Sequence, residues 1–276
     1  CDLGGSVPTS KQINDLGNEK ATKPIMTDLG LAPGWVNIIA EWGCKEVRGT
    51  PDSVSMMVGG LPVTEVNRPL DYVTTWSVDG LINEYRDDCE ILKDGEVVRV
   101  KGMEGYEKIY VDWLKKRFEA FYTSGGVSHT IRDMKERGVK DCSYKTIRYI
   151  GHRDIVKFLI RDCRLSDESL AQVFQAGCAN KADLRDMVIL KSKVKKGPLE
   201  WNKEIFISSD ENFTAMQRAT AFPISAVASL MAEGIFDERH VEHRGYKDRL
   251  PLVLSYKDIP REDFDKKIET LGLNDT

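Results

Sequence analysis

The segment Asp28-Leu29-Gly30-Leu31-Ala32-Pro33-Gly34-Trp35-Val36-Asn37 reads as a strand end, a tight glycine turn and a helix that opens on Pro33. Proline suits the first helical position, because its missing N–H has no intrahelical partner there. Gly34 lets the chain bring free backbone N–H groups close to a ligand. A helix start of this kind favours carboxylate, phosphate or carbonyl oxygens. The same residues also fit a plain structural turn. Either way, this strand-turn-helix corner marks residues 1–45 as the tail of an α/β unit.

With 276 residues, the chain is long enough for one large domain or two smaller ones around a proper core. A hydrophobic share of 41% and a charged share of 30% fit a soluble globular protein. The net charge of −4 gives no electrostatic reason to expect nucleic acid. No apolar run approaches the ~18 residues of a membrane span. The six cysteines, Cys1, Cys44, Cys89, Cys142, Cys163 and Cys178, form no CxxC pair, and the four histidines lack zinc-site spacing. No metal site is expected, and dispersed thiols suit a reducing cytoplasm.

Along the chain, a helix is expected from Ser10 to Glu19 and a short buried strand from Pro24 to Thr27. The next helix should run from Pro33 to Trp42 and stop at Gly43. From Lys45 onward the texture turns to short strands. Ser53–Val58 is one and Tyr72–Ser77 another, the latter leading into a helix from Val78 to Tyr85. Glu90–Val100 contains Asp94-Gly95 between two apolar runs, which specifies a hairpin. Strands at Glu119–Tyr122 and Tyr144–Tyr149 flank a helix at Val127–Arg137. Helices follow at His152–Cys163, with Ile155, Val156, Phe158 and Leu159 buried, and at Ser166–Cys178. Met187–Val194 and Ile205–Ser208 complete the strands, joined by a basic link from Lys191 to Lys196 that reads as a solvated edge. A long helix from Phe213 to Ala232 should kink at Pro223, and a short one closes the chain at Arg261–Leu271.

Six segments together resemble the saccharopine dehydrogenase family, with its lysine 6-dehydrogenase and carboxynorspermidine dehydrogenase relatives. They are Cys1–Gly5, Asp28–Gly34, Thr75-Trp76-Ser77 through Tyr85, Ala120–Gly126, Lys145–His152 and Arg218–Pro223. The resemblance implies an α/β to α+β fold. Residues 1–45 become the end of a Rossmann domain and 46–210 a mixed-sheet substrate and dimerisation domain. Residues 211–276 become helices packing back on the Rossmann side. It also implies NAD or NADP, a small amino-acid substrate and a homodimer. No G-x-G-x-x-G follows a strand anywhere in the chain, so the phosphate-binding turn is missing. The opening Cys1-Asp2-Leu3-Gly4 reads as a strand already running into its loop, as if an N-terminal region were lacking.

The implied reaction is hydride transfer at a carbon bonded to nitrogen, through an imine. Asp28 is the candidate facing an iminium cation, or else a turn residue accepting backbone hydrogen bonds. Asp2, Gly30, Pro33, Gly34 and Asn37 are cofactor candidates, Asn37 standing near the expected cofactor amide. Thr75, Trp76 and Ser77 at a strand end, with Ser124 and Gly125 at a strand-to-helix turn, are substrate candidates. Arg148 suits a carboxylate in bidentate fashion. His152 suits a proton shuttle near neutral pH, or simply caps its helix. A non-catalytic dimerisation or binding module of the same fold is the alternative. Whether a G-x-G-x-x-G precedes this chain in its gene separates the two.

Overall fold

The computed structural model describes residues 1–4, 7–66, 68–179, 185–236 and 252–273. In chain order come α1 (Val7–Lys20), β1 (Ile25–Met26), α2 (Trp35–Glu46), β2 (Ser53–Pro62), α3 (Val78–Arg86), β3 (Asp88–Lys93), β4 (Glu96–Lys101), β5 (Glu107–Val111) and β6 (Lys116–Tyr122). Then follow α4 (Thr130–Arg137), β7 (Asp141–Arg148), α5 (His152–Lys157), a π-helical turn (Phe158–Asp162), α6 (Asp167–Gly177), β8 (Asp186–Lys196), β9 (Leu199–Ser208), α7 (Ala215–Ala232), β10 (Val253–Leu254) and α8 (Arg261–Thr270).

Eight strands form one mixed sheet in the order β4-β3-β7-β2-β8-β9, with β6 joining β7 and β5 joining β6. β2 lies parallel to β7 and antiparallel to β8 along its whole length. A separate parallel pair, β1 with β10, joins Ile25 and Met26 to Val253 and Leu254. The architecture is mixed α/β, as expected.

Strand periodicity decides what faces the site. Side chains alternate across a sheet, so β7 sends Tyr144, Thr146 and Arg148 to one face and Ile147 to the other. Tyr144 packs in the cluster that α2, α4, α7 and α8 cover, while Ile147 packs with Phe118, Met187 and Ile189 on the opposite face. The register pairs Tyr144 with Met56 and Thr146 with Val58, which fixes the floor between β7 and β2. A third cluster, built from Tyr72, Tyr85, Phe121 and Phe174, lies under α3, α5 and α6.

The Asp94-Gly95 hairpin forms as expected, with φ of 51° and 83° at the two turn residues. Both values lie in the left-handed region that a two-residue hairpin of this twist requires. Several expectations need correction. Tyr72–Ser77 is a loop rather than a strand, held by Thr74 N–H donating to the Cys178 carbonyl at 2.9 Å. α2 continues past Gly43 to Glu46, because Gly43 packs against Trp201, whose ring leaves no room for a Cβ. Lys191 to Lys196 belong to β8 itself, where Lys191, Lys193 and Lys195 meet Glu204 and Glu200 across the hairpin. β2 extends through Gly59 and Gly60 to Pro62. Phe158 stays 54% exposed where α5 widens into the π turn, although Val156 is buried as expected.

α7 starts on Thr214, whose hydroxyl accepts the Gln217 N–H while the Gln217 side chain accepts the Thr214 N–H. Asp186, at the start of β8, accepts the Ala215 and Met216 N–H groups at 2.7 and 3.0 Å. A carboxylate there also complements the helix dipole. The helix runs on through Pro223. These caps fix the first turns of α7 beside the sheet, where they border the site.

Candidate functional site

A cavity of about 770 Å³ opens between the sheet and the surrounding loops. Val58 and Gly60 of β2 and Tyr144, Thr146 and Arg148 of β7 form its floor. Gly30, Leu31, Ala32 and Pro33, with Leu3 and Gly4, make one wall. The loop and helix from Tyr72 to Asp87 make another, which Ser124 and Gly125 extend. Met216, Gln217, Thr220 and Ala221 of α7 close the third side. This volume falls in the range of small-molecule sites. A second cleft, between Trp42, Trp201 and Arg261, measures only about 60 Å³.

Arg148 is the chemical centre of the floor. It is 4% exposed, and its guanidinium stacks 4.7 Å from the Tyr72 ring centroid. Nε donates to the Tyr85 hydroxyl at 3.0 Å and Nη1 to the Ile147 carbonyl at 2.9 Å. Burial works against the cation, yet the Tyr85, Tyr72 and Glu84 oxygens outweigh it and hold Arg148 charged. Nη2 has no protein acceptor among the described residues, so one edge of the fork remains for a ligand.

His152 stands behind this arrangement and does not line the cavity. Its Nδ1 lies 2.8 Å from the Leu70 carbonyl, which only accepts, so Nδ1 carries the proton. Nε2 therefore accepts from the Tyr85 hydroxyl at 2.9 Å, leaving the Tyr85 oxygen to accept from Arg148. The chain Arg148–Tyr85–His152–Leu70 is fully assigned and orients the guanidinium. Burial, and then the neighbouring Arg148 charge, push the His152 pKa down to about 3. The expected proton shuttle is thus a neutral prop. Nor does His152 cap α5: the Glu119 carboxylate, reaching from β6, accepts the Gly151 and Arg153 N–H groups at 3.0 and 2.6 Å.

The βα corner differs from its sequence reading in the same way. Gly34, not Pro33, is the cap residue of α2. The first helical N–H groups are already taken: Trp35 donates to the Gly30 carbonyl, Val36 to Leu31, and Asn37 and Ile38 to Gly34. Asn37 is buried, its Oδ1 accepting the Gly34 N–H at 2.7 Å and its Nδ2 donating to Thr130 at 2.9 Å. Neither the helix start nor the Asn37 amide is open to an anion or a cofactor amide. Gly30 and Pro33 do line the cavity, whereas Gly34 and Asn37 lie behind them.

Asp28 lies outside the lining as well. Its carboxylate accepts from Ser10 and Ser128 at 2.7 Å each and lies 3.6 Å from His129 Nδ1. Burial raises its pKa, but these hydrogen bonds and the His129 charge win and hold it below the usual range. Asp28 joins the N-terminal segment to α4 and does not face the cavity. Asp2 is engaged locally, accepting the Gly4 N–H at 2.8 Å. Thr75, Trp76, Ser124 and Gly125 line the cavity, while Ser77 instead caps α3 by accepting the Gly80 N–H at 3.2 Å. Trp76 is fixed by its Nε1 donating to the Tyr72 hydroxyl at 3.1 Å. Of the other histidines, His240 and His243 lie outside the described residues.

Residues 30–247 match the family model described as the saccharopine dehydrogenase C-terminal domain. This chain belongs to the saccharopine dehydrogenase family. It is 26% identical over 233 residues to the saccharopine dehydrogenase (NADP(+), L-glutamate-forming) of Pyricularia oryzae, covering 80% of this chain and 48% of that protein. The chain therefore spans about half the length of that curated relative. The fold is similar to that of the apo saccharopine dehydrogenase (L-Glu forming) from Saccharomyces cerevisiae. The TM-score is 0.68 at 16% identity, covering 98% of this chain and 76% of that one.

Within this family member, sequence reasoning missed Glu84, Tyr85 and Tyr72. Glu84 lines the cavity, and burial raises its pKa to about 7 against the lowering effect of Arg148. Asn83 and Glu84 fall on the polar face of a helix whose other face carries Leu81, Ile82 and Tyr85, a pattern that reads in sequence as a solvated face.

His152 and Glu84 act on stability with opposite signs. The unfolded chain protonates His152 near 6.5 and the folded one only near 3, so that contribution is complete above 6.5 and is lost as pH falls. Glu84 titrates near 4.5 unfolded and about 7 folded, so its contribution is complete below 4.5 and is lost as pH rises through 7. Between 4.5 and 6.5 the slopes, about 1.4 kcal/mol per pH unit each, oppose one another. Glu84→Gln should therefore make Tm fall more steeply on acidification through this window than it does in the parent. Parallel profiles would contradict the assignment.

Proposed function

We propose that this chain forms the substrate-binding part of a nicotinamide-dependent oxidoreductase acting on a CH–NH bond of an amino acid or its imine adduct. Lysine- or saccharopine-type substrates come first and carboxynorspermidine-type substrates next. The observation that carries the reading is a buried arginine presenting an open Nη2 edge in a cavity of substrate size, in a chain of this family. The names of the relatives, with L-glutamate in both and NADP in one, support the reaction class.

The residues fit one end of the cofactor only. Leu3, Gly4 and Gly30 to Pro33 form a largely apolar wall of the cavity, whose composition would suit a nicotinamide ring. The α2 N–H groups, already bonded, do not suit a diphosphate. When bound, the cofactor supplies the hydride acceptor or donor. The chain's own residues anchor the carboxylate at Arg148, hold that cation in place through Tyr85 and His152, and wall the cavity from water with Tyr72, Trp76 and Tyr144. The choice between NAD and NADP rests with residues that meet the rest of the dinucleotide.

The second reading is a non-catalytic dimerisation or binding module of the same fold. The test is a reduced-nicotinamide oxidation assay on the full natural protein, pairing 2-oxoglutarate or semialdehyde acceptors with lysine and diamines. Consumption of NADH or NADPH that requires both partners is the expected result. No consumption with any pair, from folded protein that binds either nucleotide, would favour the binding module.

A further inference from the structure

The Glu84 carboxylate accepts no hydrogen bond and forms no ion pair with any described residue, yet it lies in the wall of the cavity. Glu84 is half-buried there, and a carboxylate that no protein donor completes keeps its acceptor capacity for a ligand. Its neighbour in sequence, Tyr85, holds Arg148, and the Glu84 and Arg148 charges act on one another. They do not pair directly, so two opposite charges border one cavity and each keeps an open side.

The backbone makes the position of Glu84 firm. It lies in α3, which Ser77 caps, and its carbonyl accepts the Ser124 N–H at 3.1 Å. Tyr85, one residue on, is fully buried in the cluster with Phe121 and Phe174. α3 therefore holds Glu84 in the wall of the same cavity whose floor carries Arg148.

From this arrangement we propose that Glu84 is a specificity-determining residue that receives the ammonium of an α-amino-acid head group whose carboxylate sits on Arg148. The inference rests on reading the cavity as an amino-acid site and deepens it. A carboxylate ligand alone leaves Glu84 unpaired and faces its repulsion. An amine alone leaves Arg148 unpaired. A head group carrying both charges one carbon apart satisfies both, which is complementarity by charge as well as by shape.

The test is calorimetric binding of L-norleucine, hexanoate, hexylamine and 6-aminohexanoate to this chain and to its Glu84→Gln variant. Glutamine keeps the shape of the wall, and circular dichroism verifies folding. L-norleucine should bind about tenfold or more tightly than hexanoate, an advantage typical of a completed charge pair. Glu84→Gln should erase that advantage and leave hexanoate no weaker. An unchanged norleucine advantage in Glu84→Gln, equal losses for both ligands, or 6-aminohexanoate binding best would each overturn the role of Glu84. Those outcomes leave the oxidoreductase reading standing. Folded parent protein that binds none of the four ligands would overturn the amino-acid site as well.

Discussion

Replacing Arg148 with methionine is expected to weaken 2-oxoglutarate binding by roughly thirtyfold to several thousandfold, because losing one partner of a buried charge pair costs about 2–5 kcal/mol. Methionine fills similar space without the guanidinium, so the change removes charge and hydrogen bonds more than volume. Folding should suffer less: the Tyr85 oxygen and the Ile147 carbonyl each lose one donor, about 1 kcal/mol apiece, while the cost of burying the cation is relieved. Titration calorimetry and thermal melting on the same variant separate the two effects. Unchanged affinity, or a loss explained wholly by unfolding, would remove Arg148 from ligand binding. Lysine should not restore affinity, since a single ammonium cannot donate to Tyr85 and Ile147 and still present a free planar edge.

The second large effect is expected at Gly34. A Cβ there would lie 2.1 Å from the Gly30 carbonyl oxygen and 2.5 Å from the Gly30 nitrogen, on a backbone with φ of 137°. Both obstacles are backbone, so no side chain can move aside. Strain and overpacking together should cost about 2–6 kcal/mol, lowering Tm by roughly 10 °C in a chain of this size. Gly30 to Pro33 form a cavity wall, so ligand binding should fall with stability. Gly125→Ala is the control, with φ of 91° and nothing within 4 Å of its Cβ. It should lose about 1–2 kcal/mol from backbone strain alone. Equal Tm values for the two variants would contradict the close approach of Gly34 to Gly30.

Local chemistry made much of this fold readable. The Asp94-Gly95 hairpin, the helix expected at Ser166–Cys178 and the alternation of β7 each depend on neighbours in sequence, and each forms where its residues indicate. The misreadings arise where distant residues take over. Tyr72–Ser77 has the composition of a strand, yet no strand edge meets it, and it becomes the wall above Arg148. Gly43 looks like a helix stop, but Trp201 of β9 uses its missing Cβ.

The site divides along the same line. Arg148 could be singled out because its planar guanidinium suits a carboxylate and because it lies in Lys145–His152, one of the segments that carry the family resemblance. His152 and Asp28 were misleading because their roles are set by partners far along the chain. Tyr85 lies 67 residues from His152, and Ser128 lies 100 residues from Asp28. No spacing in the sequence reveals that such partners have already occupied a candidate base or acid. Glu84 escaped notice for the converse reason: on an amphipathic helix a glutamate reads as solvated, and only the assembled cavity shows it otherwise.

The most direct measurement is a crystal structure of this chain soaked with saccharopine. The account predicts a ligand carboxylate within hydrogen-bonding distance of Arg148 Nη2, between the Tyr72 and Tyr144 rings. Saccharopine bound elsewhere on the surface, with Arg148 contacting only Tyr85 and Ile147, would contradict it.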